Sequence, residues 1–347
     1  MYKNNSRDSS KLKDCSPLQL SFKLIEKCHA VGYYSYTNRW HSYLNIKHQI
    51  MKRTFLYLTF LILCSSCNNT PKTHIERSIT ESIAILEIYL EDSVAVNQIS
   101  NLLRDTLELP VEWEPFDLFG NKVVYDAAFY LGNTTLELLA VDPPDSTIRE
   151  QARFNRILFH SENIDSTSLT LTKTDIAHQT PSDFWIFSNN SNLKIGRQIN
   201  LDSISILSNI NIAFWEYVNS GYNFTERTIK GETFEDLGPK LNDVMISNPI
   251  GIIGLKEVHL TINQSAIDQW HKLLGPSKSN TWTLSEGPII SFTPSINNIG
   301  VDWITLSVRN LKVAKKLLSQ KDLLATEKNK VFINPSKLYG LQIYIEE

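Results

Sequence analysis

The sequence predicts an α+β protein built from repeated β-α-β-β-β units. Three observations carry this prediction. The chain of 347 residues is 42% hydrophobic and 20% charged, which is a globular composition. From Ser82 onward, a segment with alternating apolar residues is followed by one with apolar residues at helical spacing. The same order of segments then returns along the chain, which indicates an internal repeat.

The first unit spans residues 82–141. Residues 82–90 alternate like a strand, and residues 94–107 carry apolar residues at the three- and four-residue spacing of a helix, which Pro110 ends. Three strand-like segments follow, separated by turn sequences with glycine and asparagine. They are Val111–Asp117, Lys122–Leu131 and Thr134–Val141.

The second unit is the least regular. A helical stretch from Ser146 leads to a strand at Phe154–His160, and the segment 161–218 is interpreted as a degenerate copy of the unit. Only two further strands are predicted there, at Asp183–Ser188 and Ile210–Val218, from their apolar and aromatic content.

The third and fourth units follow a stretch rich in charge, glycine and proline, Gly221–Pro249, which is predicted to be a linker. Both units again place a helix after their first strand. The predicted helices are Ser265–Leu274 and Lys312–Leu324. The predicted strands are Leu255–Ile262, two short ones within Thr281–Thr293, Val301–Val308, Lys330–Asn334 and Leu341–Ile345.

The N-terminal region is predicted to be a targeting segment. Met51-Lys52-Arg53 and the short apolar run after it have the anatomy of a signal peptide, and the run is too short to span a bilayer. It ends in Cys64-Ser-Ser-Cys67, which resembles the lipoprotein signal of bacteria, with Cys67 as the lipidated residue. This predicts a membrane-anchored protein of the bacterial cell envelope, periplasmic or on the outer membrane.

These signals divide the chain. Residues 1–50 are interpreted as an upstream mis-start and 51–67 as the signal peptide, with 68–80 as a polar tether. The folded part then consists of an N-terminal half, 81–220, the linker loop 221–250, and a C-terminal half, 251–347.

Charge and cysteine positions exclude some functions. From Asn68 to Glu347 there are 24 basic and 34 acidic residues, which argues against nucleic-acid binding. The four cysteines all lie at or before residue 67, so thiol chemistry is excluded beyond it. Dinucleotide and serine-hydrolase motifs are absent from the sequence.

Five stretches resemble the vicinal oxygen chelate superfamily, which includes glyoxalases, bleomycin resistance proteins and extradiol dioxygenases. Each motif is weak alone, and their order along the chain is what indicates the family. They are Leu102–Pro110 (LLRDTLELP), Leu131–Leu139 (LGNTTLELL), Trp270–Gly275 with Glu286-Gly-Pro288, Ile304–Leu311 (ITLSVRNL) and Tyr339–Tyr344 (YGLQIY). The resemblance implies paired units whose curled sheets enclose concave cavities, in two barrel-like halves with helices outside.

The resemblance also implies a metal site in its metal-dependent members. Glu137 stands at the position of the glutamate ligand on the last strand of the unit, and Glu87 lies near the ligand position on the first strand. Glu87 shares a strand face with Tyr89 and is expected to face the cavity. Further ligands would have to come from Arg156, His160 or Glu216 in the second unit, and an arginine would repel a cation. A salt-bridged carboxylate is the competing interpretation of Glu137.

The C-terminal half departs further from the metal pattern. Glu257 and His259 share a strand face, whereas Trp303 stands where a histidine ligand is expected and Tyr344 lies near the position of the terminal glutamate. These four residues are predicted to bind a ligand, with core packing or a simple hydrogen bond as the alternative. Asp126, Asp183 and Asp302 are taken as isolated surface acids.

Two functions follow from the sequence. The first is a module that binds a small molecule in a concave cavity without a complete metal site. The second is a metal-dependent lyase, isomerase or dioxygenase that acts on a substrate with vicinal oxygens and holds a divalent ion through Glu87 and Glu137. Whether the protein is an enzyme, which residues would be catalytic, and whether it forms a homodimer are left open by the sequence.

Overall fold

The computed structural model describes residues 78–119, 123–141, 152–188, 191–218, 245, 247–297 and 299–347. Outside these residues lie the predicted mis-start, the signal peptide with Cys67 and most of the tether. The helical stretch after Ser146 and most of the linker also lie outside them. The described residues belong to one compact unit, Lys72–Glu347. Within them, no helix is long and apolar enough to cross a membrane.

The N-terminal half forms one eight-stranded mixed sheet. Its strands are β1 (Ile83–Leu90), β2 (Val111–Asp117), β3 (Val124–Tyr130), β4 (Thr135–Val141), β5 (Arg153–His160), β6 (Ser182–Ser188), β7 (Ser191–Asn200) and β8 (Asn211–Tyr217). Its helices are α1 (Ser93–Asn101), continued by a π-helical turn at Leu102–Thr106, α2 (Ile164–Lys173) and α3 (Asp202–Ser208).

The strand order, β2-β3-β4-β1-β5-β8-β7-β6, shows two copies of one unit side by side. In the first copy β1 pairs with β4 in parallel, and in the second β5 pairs with β8 in parallel. The two copies join through the antiparallel pair β1 and β5. The second unit is therefore more complete than its sequence indicates, because it also contains α2, β7 and α3.

The C-terminal half forms a seven-stranded sheet with the order β10-β11-β9-β12-β15-β14-β13. Its strands are β9 (Ile252–Ile262), β10 (Thr281–Thr283), β11 (Ile289–Pro294), β12 (Gly300–Val308), β13 (Leu324–Glu327), β14 (Lys330–Ile333) and β15 (Ile343–Glu346). Its helices are α4 (Ile267–Leu274), preceded by a 3₁₀ turn at Gln264–Ala266, and α5 (Leu311–Gln320). A second 3₁₀ turn lies at Pro335–Lys337.

Two details of the C-terminal prediction are wrong. The last helix ends at Gln320 rather than Leu324, because Asp322 takes a left-handed conformation (φ 56°) and Leu324 already begins β13. The fourth unit has three strands after its helix, whereas the sequence predicts two and misses β13. The two strands predicted after the helix of the third unit are both present. The predicted α+β class with two curled-sheet halves is otherwise confirmed.

The two halves share one hydrophobic core, which contains Ile83 and Phe159 of the first sheet and Ile304 of the second. Polar contacts tie the halves together at its edge. The amide of Asn133 accepts a hydrogen bond from the backbone N–H of Leu255 (2.9 Å) and donates to its carbonyl oxygen (3.3 Å). The adjacent Gly132 has φ +80°, and a Cβ there would lie 2.2 Å from the carbonyl oxygen of Ile253. Glycine is required at this turn because the two backbones touch.

Candidate functional site

A cavity of about 270 Å³ lies on the concave face of the first sheet. Trp113 of β2 and Phe184 of β6 both line it, although these strands are the opposite edges of the sheet. The sheet must therefore curl for its edges to approach each other. Most of the lining is apolar or aromatic, and the polar side chains are confined to a few positions.

Strand alternation decides which side chains reach the cavity. On β1, Leu86 and Ile88 are buried in the core, whereas Ile85 and Glu87 line the cavity. On β4, Glu137 and the residues two and four positions later line the cavity in the same way. Glu87 thus faces the cavity as the sequence predicts. Glu87 and Glu137 are direct partners in the parallel pair β1 and β4.

Two β-bulges add polar side chains to this face. The pairing of β1 with β5 shifts register after Glu87 and Arg156, which leaves Asn155 as the extra residue. Its Nδ2 donates a hydrogen bond to Oε1 of Glu87. The pairing of β2 with β3 shifts in the same way around Glu112, whose carboxyl group also lines the cavity. Bulges re-aim side chains that regular alternation would send elsewhere.

The polar side chains form an acidic cluster, defined as Glu87, Glu112, Asp126 and Glu137, with Arg156 beside it. Glu87, Glu112 and Asp126 are 4%, 3% and 1% exposed, and Glu137 is half-buried. The sequence-based prediction that Asp126 is a surface acid is wrong. Its only sequence signal is its position in the middle of a predicted strand, immediately before a run of buried apolar residues.

The contacts of the acidic cluster are mostly neutral hydrogen bonds. Thr135 Oγ1 donates to Glu112 Oε2 at 2.7 Å. Nη2 of Arg156 donates to Oε1 of Gln198 (3.1 Å) and Oδ1 of Asn200 (3.3 Å), both on β7. The guanidinium group is therefore held by amides rather than by a close carboxylate.

Burial raises the pKa of three carboxyl groups in the cluster. It raises the pKa of Asp126 to about 7, and the neighbouring side chains of Trp113 and Glu137 oppose this effect. It raises the pKa of Glu137 well above its ordinary value, and the carboxylates of Asp126 and Glu87 raise it further. The pKa of Glu87 is also raised by burial, although Arg156 and Asn155 oppose this effect.

Only some of the metal ligands that the resemblance implies come together in the structure. Glu87, Glu137 and Arg156 come together, but His160 and Glu216 do not line the cavity. Glu216 instead lies 3.6 Å from the guanidinium of Arg197. Among the residues that the structure describes, no three His, Cys, Asp or Glu side chains are grouped to hold a metal ion. The carboxyl groups have raised pKa values and share the cavity with a guanidinium group, which disfavours a divalent metal ion because such an ion needs charged oxygen ligands.

The residues predicted to bind a ligand in the C-terminal half are also brought together. Ser291, which the sequence analysis missed, lies between two of them. Its Oγ is 2.7 Å from His259 Nδ1 and donates to Glu257 Oε1 at 2.5 Å. The ring of Trp303 stacks on His259 at 3.7 Å, and Tyr344 meets Trp303 edge-on at 5.9 Å.

The polar groups of this C-terminal cluster form hydrogen bonds with neighbouring side chains of the same sheet. His259 Nε2 lies 3.1 Å from Thr293 Oγ1, so both ring nitrogens have partners. Burial lowers the pKa of His259, although Asp302 and Glu257 oppose this effect. The ammonium group of Lys330 lies 5.2 Å from the ring centre of Trp303 and 4.8 Å from that of Tyr344. The ligand-binding role of the four residues predicted from the sequence, Glu257, His259, Trp303 and Tyr344, stays a prediction.

Comparison with known proteins finds similarity only at the level of structure. No protein-family model and no curated protein matches the sequence. Homoprotocatechuate 2,3-dioxygenase from Arthrobacter globiformis matches with a TM-score of 0.48 and 11% identity, over 80% of this chain and 84% of that one. The 2,3-dioxygenase LapB from Pseudomonas sp. KL28 matches with a TM-score of 0.46 and 8% identity, over 78% and 92%.

A third similar structure is 2,2',3-trihydroxybiphenyl 1,2-dioxygenase from Sphingomonas wittichii strain RW1, with a TM-score of 0.44 and 11% identity, over 77% of this chain and 90% of that one. All three of these proteins are named as dioxygenases. Similarity at such scores and identities assigns no activity to this chain.

The raised carboxyl pKa values predict how stability depends on pH. Between the ordinary pKa of Asp126, 3.8, and its value of about 7 in the folded protein, the folded state holds a proton that the unfolded state releases. The free energy of unfolding should therefore fall as pH rises through this window, by roughly 1.4 kcal/mol per pH unit for one such group. Asp126→Asn should make this fall shallower and raise stability near neutral pH.

Urea denaturation at several pH values from about pH 4 to about pH 8 measures this slope. Asp322→Asn is the control, because its side chain is 93% exposed and the left-handed backbone there accommodates asparagine. An unchanged slope in Asp126→Asn would show that Asp126 does not hold a proton in the folded protein.

Proposed function

We propose that the protein binds a small molecule in the cavity of its first half and performs no reaction on it. One observation carries this proposal: a partly open, mainly apolar cavity of about 270 Å³ that is lined by a few polar groups. Ligand pockets typically have this composition and run from roughly 300 to 1,000 Å³. The cavity is at the small end, so a single-ring or short-chain molecule suits it better than a drug-sized one.

The aromatic and the polar residues that line the cavity would play different parts. Its aromatic wall, formed by Trp113, Phe116, Phe184, Trp215 and Tyr217, offers apolar surface to the body of the ligand. The acidic cluster and Arg156 offer hydrogen-bonding groups that fix its orientation. Such a division supports binding with a defined pose.

Filling the cavity should abolish binding. Leu139 on β4 lines the cavity, and Leu139→Trp would place a larger side chain in empty space. We expect affinity for any single-ring ligand to fall by about tenfold or more, since a filled pocket cannot bury the ligand. Ligand-observed NMR with a panel of single-ring amines, alcohols and acids measures the loss.

Ile296→Trp is the matched control, because Ile296 is 82% exposed and lies in the other half. It should bind as the unmodified protein does. Equal binding by both variants would place the ligand elsewhere, and the absence of binding to the unmodified protein across the panel would contradict the proposed function.

A metal-dependent lyase, isomerase or dioxygenase is the second candidate. The observation in its favour is the direct pairing of Glu87 with Glu137, the two positions at which the resemblance implies metal ligands. Against it stands the guanidinium of Arg156 in the same cavity. In addition, no three His, Cys, Asp or Glu side chains among the described residues are grouped closely enough to hold a metal ion. Binding without metal therefore explains the geometry better.

Elemental analysis distinguishes the two candidates. The protein purified without chelator, and again after incubation with Mn²⁺ or Fe²⁺, should contain well under one metal ion per chain. About one ion per chain that is lost in Glu137→Gln would favour the enzyme. Glu112→Gln is the control, because Glu112 lines the same cavity but is not one of the implied ligands.

We also propose that Cys67 carries a lipid anchor that holds the folded halves at a membrane surface. Cys67→Ala should move the protein from the membrane fraction to the soluble fraction of the cell. Cys64→Ala is the matched control and should leave the protein with the membranes, because Leu63 before Cys64 is a poor fit to a lipidation signal. Unchanged fractionation of Cys67→Ala would contradict the anchor.

A further inference from the structure

The cavity of the first half has an excess of acidic groups. Four carboxyl groups line it, and Arg156 is its one cationic side chain within the described part of the chain. The guanidinium does not balance them closely, since no ion pair within 4.0 Å joins Arg156 to an acid among the described residues. Its Nη2 is instead bonded to the neutral amides of Gln198 and Asn200.

One acceptor atom in the cluster has no donor. Asp126 is 1% exposed, and its Oδ1 accepts no hydrogen bond from the residues that the structure describes. A buried acceptor without a partner is costly and uncommon in folded proteins. Because Asp126 lines the cavity, a molecule inside the cavity can supply the missing donor.

The aromatic wall adds a second feature that suits a cation. Phe184 meets Trp215 edge-on at 5.3 Å, and Trp215 meets Tyr217 edge-on at 5.9 Å, so three rings form a continuous surface beside the acids. All three rings line the cavity. The faces of such rings attract cationic groups, most strongly where water is excluded.

We propose that the ligand of this cavity is a small organic cation, with its ammonium group among the four carboxyl groups and its apolar body against the aromatic wall. This inference rests on the proposed function and names the ligand class for the same cavity. An anionic ligand paired with Arg156 is the main competitor. It is disfavoured because burial already raises the pKa of Glu87, Asp126 and Glu137. A buried anion would raise these pKa values further, whereas an ammonium group lowers them and stabilises the charged carboxylates.

Three compounds that differ only in the head group test the proposal. These are 2-phenylethylamine, 2-phenylethanol and phenylacetate, which carry a positive, a neutral and a negative head on the same ring and chain. Calorimetric titration of the full chain near neutral pH should give the tightest binding for the amine. We expect it to bind about tenfold or more tightly than the alcohol, and phenylacetate to bind most weakly.

Variants that each remove one ionisable group test which side chains interact with the ammonium group of the ligand. Asp126→Asn and Glu137→Gln keep the side-chain shape and should each weaken amine binding about tenfold while leaving alcohol binding nearly unchanged. Arg156→Gln removes the cation beside the cluster and should strengthen amine binding instead. Asp175→Asn is the control, because that side chain is 98% exposed. Circular dichroism and thermal denaturation confirm that each variant is folded.

The outcomes separate this inference from the proposed function. Tightest binding by the alcohol or by phenylacetate, competed away by Leu139→Trp, would overturn the cationic ligand and keep the cavity as a binding site. Amine binding that survives both Asp126→Asn and Glu137→Gln would also overturn the inference. Binding by none of the three compounds overturns it as well, and the wider panel of single-ring compounds then decides the proposed function.

Discussion

The alternation of side chains along a strand, combined with a core that both sheets share, decides what the rest of the molecule can do. One face of β1, β4 and β5 is committed to the core, where Leu86, Leu138 and Ile157 are fully buried or nearly so. The side chains on the other face of the same strands therefore line the cavity on the concave side of the sheet. Residues that could not be placed in the core, Glu87 and Arg156 among them, therefore meet in the cavity.

This arrangement buries acidic side chains, which lowers the stability of the folded protein. Taking a carboxylate out of water disfavours its charged form, which is why the pKa values of Glu87, Asp126 and Glu137 are raised. A stable core alone would favour apolar side chains at these positions. The acidic cluster therefore lowers stability near neutral pH, and buried carboxyl groups with raised pKa values in a cavity are a pattern typical of binding sites.

The sequence predicts the repeat and most strands, because buried strands carry long apolar runs and alternating patterns. It also predicts that Glu87 faces the cavity. It misses α2, whose residues are mainly threonine, serine and aspartate, and β7, where the pattern is broken by polar residues at Lys194 and Arg197. It cannot predict the bulges at Glu112 and Asn155, since a bulge is a property of the pairing between two strands. The burial of Asp126 depends on the curling of the whole sheet, which no local pattern reveals.

The contrast between the two halves argues that binding belongs to the first. In the second half, Ser291 donates to Glu257 and lies against His259, and Thr293 meets the other ring nitrogen. Its aromatic rings are in contact with one another and with Lys330. In that network Ser291 and Thr293 provide partners for both ring nitrogens of His259 from within the chain, so His259 needs no ligand to complete its hydrogen bonds. In the first half, Oδ1 of Asp126 has no donor among the described residues, and an apolar space of about 270 Å³ lies beside it. The repeated unit thus contains two different polar networks. In the second half the hydrogen bonds of His259 are satisfied within the chain, whereas in the first half a ligand could donate to Oδ1 of Asp126.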